Sequence, residues 1–469
     1  ILAACCALPN AYRLKGMRIE GLGIVTNKSF FGAYRGYGKD KAIKFIERVM
    51  DQIAKELNMM PEDVRFKNFI QPNEFPFKQI NNYTYDSGDY PATMKKAIQM
   101  ADINTWREKQ RELRKQGRYL GIGLSFIVEP AGTAVPNCLL GGITQARIKI
   151  NSDGTVEVQS DWTEIGQGAD RSQAKIVSNI LGCNFDDVLV APVTSDLIGQ
   201  GPISSRGAVY PASAITKAAR ALREKLLKFA GIFLEEKPEN IETRGGVVCS
   251  VINPQKQITF KELAQRAYLS PGPRGLTGEL LREHEHLLDA TATWYSPVTA
   301  DTGAIYTTFC SSVDIAVVEV DVETGVTQIL KYVHVHDAGN IIDSKIVDGQ
   351  IHGGIVQGIG EALSEELIYS DNGQLLNTSH ADFLMPTVAD SPDIQIGHLQ
   401  NPSPFTELGT KGMGEAPIIG GKAVTLSAIE DALSPFHISI IESPATRERV
   451  RKWILESQLI EKKRDRENT

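Results

Sequence analysis

One pattern occurs twice in this chain, and it narrows the folds open to it. Ala146-Arg147-Ile148-Lys149-Ile150 alternates apolar and polar side chains, turns at Asp153-Gly154, and resumes as Val156-Glu157-Val158. Ala316-Val317-Val318-Glu319-Val320-Asp321 turns at Thr324-Gly325 and resumes through Val326 and Ile329-Leu330. Alternation of period two buries one face of a strand, and a glycine-bearing turn folds it back as a hairpin. Each hairpin leads to a glycine-bearing polar stretch, Gly166-Gln167-Gly168 in one case and Gly349-Gln350 with Gly353-Gly354 in the other, and then to a helix. The repetition predicts an α+β (mixed α/β) fold of two related lobes, with mixed sheets and packed helices.

Helical spacing fills much of the remainder. Ile43, Ile46, Val49, Met50, Ile53 and Leu57 predict a helix over 39–57, closed by Pro61. Further helices are expected over 94–115, 169–181, 211–235, 259–268, 347–363, 417–433 and 445–456. Ser270-Pro271-Gly272-Pro273-Arg274-Gly275 reads as a loop within the second lobe.

Composition excludes several functions. No apolar run is long enough to cross a bilayer. A net charge of -7 gives no footprint for nucleic acid, and the mixed-sign stretch at 461–466 reads as a solvated tail. The six cysteines, Cys5, Cys6, Cys138, Cys183, Cys249 and Cys310, are scattered without a C-x-x-C pair. That is the pattern of reduced thiols in the cytoplasm, and it offers no closely spaced set for an iron–sulfur cluster. Ile1 to Leu8 is apolar but has no basic stretch before it, so it is a poor signal peptide. The lack of a starting Met suggests a processed or partial chain.

Four segments depart from ordinary structural sequence. Gly32-Ala33-Tyr34-Arg35-Gly36-Tyr37-Gly38 precedes a helix, with an Arg between aromatics. It suits a planar or anionic ligand, and equally a tight turn with a solvent-facing Arg. Thr163-Glu164-Ile165-Gly166-Gln167-Gly168 feeds a helix whose first N–H groups favour an anion, or it is a plain strand–helix turn. Ser204-Ser205-Arg206-Gly207 admits the same reading, or that of an N-cap cluster. Val335-His336-Asp337 through Gly360 carries glycines on a helix-length stretch, where they permit close packing of a helix or a ligand. His334, His336 and His352 lack zinc spacing. In Gly409-Thr410-Lys411-Gly412-Met413-Gly414-Glu415-Ala416-Pro417 the carboxylate of Glu415 either favours the helix dipole or serves as a general base tuned by burial.

In this order the segments resemble the C-terminal portion of the molybdopterin-binding large subunit of the xanthine dehydrogenase and aldehyde oxidase family of molybdenum hydroxylases. The resemblance runs from about residue 11 to about residue 453. Tyr85-Asp86-Ser87-Gly88, Asp153-Gly154-Thr155-Val156 and Asp382-Phe383-Leu384-Met385-Pro386-Thr387 read as further landmarks. The resemblance implies that Ala33, Tyr34 and Arg35 lie beside the molybdenum and that Tyr37 lines the substrate funnel. It assigns Gln167, Gly168, Gln350 and Gly414 to the pterin cofactor, and Ser204 and Ser205 to its phosphate side. It makes Glu415 the base next to a metal held by pterin dithiolene sulfurs and by no protein side chain. The cofactor is expected to be molybdenum–molybdopterin in its cytosine dinucleotide form, with [2Fe-2S] and FAD on partner chains. The inserted oxygen would come from water.

The expected division is 1–140 for the remainder of a first cofactor lobe and 141–469 for a second, whose C-terminal segment brings the Glu415 loop. Full large subunits of the family extend further on the N-terminal side, so the expected partners are an iron–sulfur subunit, an FAD subunit and a chain supplying the missing part. Purine-oxidising members carry an Arg nine residues before the position of Tyr12, where this chain has Ala3. Carbon monoxide dehydrogenases carry a Cys after the loop Arg, where this chain has Gly36. An aldehyde or an N-heteroaromatic compound is therefore the expected substrate. An aromatic acyl-thioester reductase of the same family and a non-catalytic scaffold half are the alternatives.

Overall fold

The computed structural model describes residues 1–28, 32–134, 142–268, 288–298 and 304–467, with side chains to residue 460. The loop expected at 270–275 and Cys138 lie outside the described residues. After a short hairpin, β1 (Phe77–Lys78) with β2 (Thr84–Tyr85), the long strand β3 (Tyr119–Thr133) forms the edge of a first sheet. A second sheet starts with β4 (Ile143–Ile150), β5 (Val156–Ser160) and β6 (Val188–Val190). β7 (Ile241–Arg244), β8 (Val247–Ser250) and β9 (Gln257–Thr259) form a small antiparallel sheet. β10 (Asp289–Tyr295) completes the second sheet; β11 (Tyr306–Val320), β12 (Thr327–Asp337) and β13 (Ile394–Leu399) complete the first.

The two large sheets share one design. Their orders are β3-β11-β12-β13 and β10-β4-β5-β6. In each, two antiparallel pairings are followed by a parallel one. The hairpins read from the sequence are β4–β5 and β11–β12, and a helix joins each to its parallel strand. The fold is thus mixed α and β with two related lobes, as the repeated pattern requires. The sheets interleave along the chain. β3 pairs with β11 from Tyr119 opposite Val320 to Thr133 opposite Tyr306, so residues on both sides of 140 build one sheet.

The helices in chain order are α1 (Leu2–Ala7), α2 (Lys39–Glu56), α3 (Pro61–Asn68), α4 (Tyr90–Ala101), α5 (Ile103–Arg114), α6 (Ala169–Leu181), α7 (Tyr210–Leu234), α8 (Phe260–Tyr268), α9 (Ser344–Leu363), α10 (Ala416–Ala432) and α11 (Arg447–Glu467). The single helix expected over 94–115 is two. Asp102 takes a left-handed conformation (φ 50°, ψ 52°) that ends α4, and α4 begins earlier, where Asp89 accepts the Ala92 N–H. The stretch at 461–466, read as a tail, continues α11.

β11 is buried on both faces. Ala316, Val318 and Val320 meet the side covered by α10, whereas Phe309, Val313 and Ile315 meet the side covered by α4. Helix α10 rests on a bed of glycines. A Cβ at Gly121 or Gly123 would stand 1.9 or 2.2 Å from a carbonyl oxygen of α10, and one at Gly358 would stand 2.4 Å from Ile418 O. The glycines of α9 therefore admit a helix, and this close contact fixes where α10 begins.

Candidate active site

Glu415 immediately precedes α10 and its side chain does not cap the helix. The N–H groups of Glu415 and Ala416 donate instead to Glu129 Oε2 on β3, at 3.3 and 2.7 Å. A carboxylate there satisfies orphan donors and meets the positive end of the helix. Of the two roles open to Glu415 in the sequence, Glu129 fills the first. Glu415 Oε2 lies 2.6 Å from Lys39 Nζ, at the start of α2. Lys39 also donates to Pro130 O at 2.7 Å and stands 3.5 Å from Glu129 Oε1. Burial disfavours the ammonium, but Glu415 and Glu129 outweigh it and raise the lysine above its usual range. Burial pushes Glu129 up, against the pull of Lys39.

The loop before α2 turns through three left-handed residues, Gly36, Tyr37 and Gly38. That turn sends Arg35 across to the Glu415 turn and α9. Its Nε donates to Gly414 O at 2.5 Å, its NH1 to Gln357 Oε1 at 3.4 Å and its NH2 to Gln350 Oε1 at 3.0 Å. Burial lowers the Arg35 pKa, opposed by Glu129 and Glu415. Tyr34 accepts from Gln357 Nε2 at 2.7 Å, and burial pushes its phenol up to about 12.

Ala33, Tyr34, Arg35, Tyr37, Gln167, Ser204, Ser205, Gln350, Gly414 and Glu415 line one cavity of about 800 Å³. Gly168 does not. It takes φ 72° at the start of α6 and abuts Ile346, where a Cβ would come within 2.4 Å. The α6 end also differs from the anion site read in the sequence. Glu164 accepts the N–H groups of Gly166, Gly168 and Asp170 at 2.7, 3.1 and 3.2 Å. Burial opposes these bonds, yet they hold the carboxyl below the usual glutamate range. Gln167 spends its amide on Ile165 N and Thr163 O.

Ser204 and Ser205 are not an N-cap of α7. Both are left-handed (φ 47° and 53°); Ser204 O accepts from Gly132 N, and Ser205 Oγ donates to Glu129 Oε1 at 2.5 Å. The side chain that most requires a ligand is their neighbour Arg206, which the sequence reading quoted without a role. It is fully buried, lines the cavity, and lies over the Tyr210 ring at 4.4 Å. NH1 donates to Gln200 Oε1 at 2.8 Å, but Nε and NH2 have no partner among the described residues, and neither has Ser204 Oγ. Buried guanidinium donors without acceptors are costly, and an anion in the cavity would satisfy them. Lys39 and Glu129 were also missed. Their signals were a lysine on the buried stripe of Ile43, Ile46 and Met50, and a lone carboxylate in the apolar run of β3.

His334, His336 and His352 are separate from the cavity lining. His334 Nδ1 meets Asp314 Oδ1 at 2.8 Å, and His334 Nε2 meets His336 Nδ1 at 3.1 Å, inside the first sheet. His352 is on α9, its Nδ1 against Asp348 O. No group of three or more His, Cys, Asp or Glu suited to a metal ion occurs among the described residues.

Residues 96–392 and 1–69 match two families, each described as a molybdopterin cofactor-binding domain. The chain is 34% identical over 437 residues to the nicotine 6-hydroxylase large subunit of Paenarthrobacter nicotinovorans, covering 91% of this chain and 51% of that one. It is 32% identical over 438 residues to the carbon monoxide dehydrogenase large chain of Afipia carboxidovorans, covering 90% and 52%. It superposes on quinoline 2-oxidoreductase from Pseudomonas putida 86 with a TM-score of 0.80 at 34% identity, covering 91% and 53%. The chain spans about half the length of these relatives. The family matches and the fold define a molybdopterin cofactor-binding protein. Within that class, this chain belongs to the large subunits of the molybdenum hydroxylases.

Proposed function

We propose that the chain forms the catalytic cavity of a molybdenum hydroxylase that oxidises an aldehyde or an N-heteroaromatic compound with oxygen from water. The observation that carries this reading is the convergence of Arg35, Arg206, Gln350 and Glu415, from separate stretches of chain, on one cavity in which Arg206 Nε and NH2 and Ser204 Oγ lack partners among the described residues. Arg206 Nε and NH2 and Ser204 Oγ would hold the anionic cofactor, with Gln167, Ser205, Gln350 and the backbone of Ala33 and Gly414 around it. When bound, molybdenum–molybdopterin, in its cytosine dinucleotide form, supplies two-electron redox chemistry at the site. Glu415 accepts a proton at Oε1, which no described donor reaches, while Lys39 holds Oε2. Arg35 orients that turn through Gly414 O, and Tyr37, more than half exposed, stands where a substrate enters.

N-heteroaromatic substrates gain support from relatives named for nicotine and quinoline. Gly36 leaves this chain without the thiol that carbon monoxide dehydrogenases carry after the loop Arg, which argues against carbon monoxide chemistry. Electrons would leave to [2Fe-2S] and FAD on partner chains, in the cytoplasm. A further chain segment would cover Arg18 to Lys28. These residues are exposed, make no backbone–backbone hydrogen bond among the described residues, and present Leu22, Ile24 and Val25 to solvent. The test is to screen aldehydes and N-heterocycles with the assembled complex in isotope-labelled water. Product carrying the label is expected; oxidation without label from water would contradict the proposal.

A further inference from the structure

Behind Glu415 the wall of the cavity is a closed group of charges. Lys39 begins α2, Glu129 lies near the end of β3, and Glu415 precedes α10, so three distant stretches each bring one charge to the same place. Lys39 Nζ has three acceptors, Glu415 Oε2 at 2.6 Å, Pro130 O at 2.7 Å and Glu129 Oε1 at 3.5 Å. An ammonium has three donors, and these acceptors can engage all of them. Glu129 Oε2 takes the N–H groups that start α10, and its Oε1 takes Ser205 Oγ at 2.5 Å. The Lys39 and Glu129 side chains are 0% exposed and neither lines the cavity, whereas that of Glu415 is 13% exposed and does. Buried charges of this kind persist only when geometry and pairing are both good.

We propose that Lys39 and Glu129 are positioning residues for Glu415: Lys39 holds Oε2 and Glu129 anchors the turn that carries the carboxylate, leaving Oε1 without a described donor. This rests on the reading of Glu415 as the base and deepens it. The other charged or titratable groups around the cluster are Cys6 from α1, Arg35 from the loop before α2, Tyr306 and Cys310 from β11, and Lys411 from the turn before α10. An opposite charge beside a carboxylate favours its ionised form, and a like charge opposes it. Lys39 and Glu129 therefore act on Glu415 with opposite sign.

The experiment is a pH titration of the Glu415 carboxyl by infrared difference spectroscopy on the assembled complex, its band assigned by absence in Glu415→Gln. The pH profile of kcat/KM is read in parallel. Lys39→Met is expected to move the titration and the acid limb up by about 1–3 pH units. Glu129→Gln is expected to move both down, and Lys39→Arg to return them close to the parent. An unmoved titration in Lys39→Met, or an upward shift in Glu129→Gln, overturns the proposal. If Lys39→Met does not assemble, Glu129→Gln decides: a downward shift supports the proposal and an unmoved titration overturns it. If Glu415→Gln keeps full turnover while the shifts occur, the base reading fails and the positioning stands. If Glu415→Gln is inactive and the titration stays put, the positioning alone fails.

Discussion

Glu415 and Arg206 face one cavity with opposite requirements, and their variants should behave oppositely. Glu415→Gln keeps the size of the side chain and removes its capacity to take a proton. It should lower kcat by roughly 10²–10⁴-fold, the usual contribution of a positioned base, with little change in cofactor content. Steady-state kinetics with metal analysis of the same preparation checks both. Arg206→Met removes Nε and NH2 donors that have no acceptor among the described residues. It should leave the cofactor-free protein about as stable as before, because relief of two buried donors without acceptors offsets the lost bond to Gln200 and the ring contact with Tyr210. It should also reduce the cofactor retained after purification. Paired thermal melts and pterin assays read the two effects; a large drop in cofactor-free melting temperature would count against the assignment. Glu415 and Arg35 stood out in the sequence because glycine-rich turns carry them, Gly412 and Gly414 before Glu415 and Gly32 and Gly36 around Arg35. Arg206, Lys39 and Glu129 did not, since a buried charge shows its meaning only once its partners, or their absence, are in place.

Helix α10 places Glu415, and glycines place α10. A methyl group at Gly358 would press on Ile418 O at 2.4 Å. Gly358→Ala should cost about 1–3 kcal/mol, as overpacking does, and loosen the Glu415 turn with it. Denaturant unfolding measures the first, and a fall in kcat beyond the loss of folded protein the second. β12 makes a prediction about pH. Burial, with His334, His398 and Lys411 nearby, holds His336 well below the usual imidazole range. A group depressed on folding contributes stability that is complete above its unfolded value, near 6.5, and is lost as pH falls toward the folded value. Stability should therefore decline below about pH 6.5 by up to about 1.4 kcal/mol per pH unit from this residue, and His336→Gln should flatten that decline. Melting curves from pH 7 to 5 decide it. Element types were largely readable from periodicity, but the break at Asp102 was not, because one left-handed residue leaves the apolar spacing on either side intact.

At the scale of the molecule, the repeated hairpin–helix pattern was enough to expect two related lobes, and both sheets follow it. Their interleaving was not legible: β3 pairs with a strand that starts 173 residues after β3 ends, and alternation within a strand carries no record of its partner. The cavity lies between these layers, lined by the loop before α2, the Ser204 turn, α9 and the Glu415 turn. The account stands or falls on whether that cavity holds a pterin-bound molybdenum. Metal and pterin analysis of the intact complex, purified with its partner chains under conditions that supply molybdate, tests this most directly. About one molybdenum and one pterin per chain are expected, both reduced in Arg206→Met. A correctly assembled complex that contains neither would contradict the account.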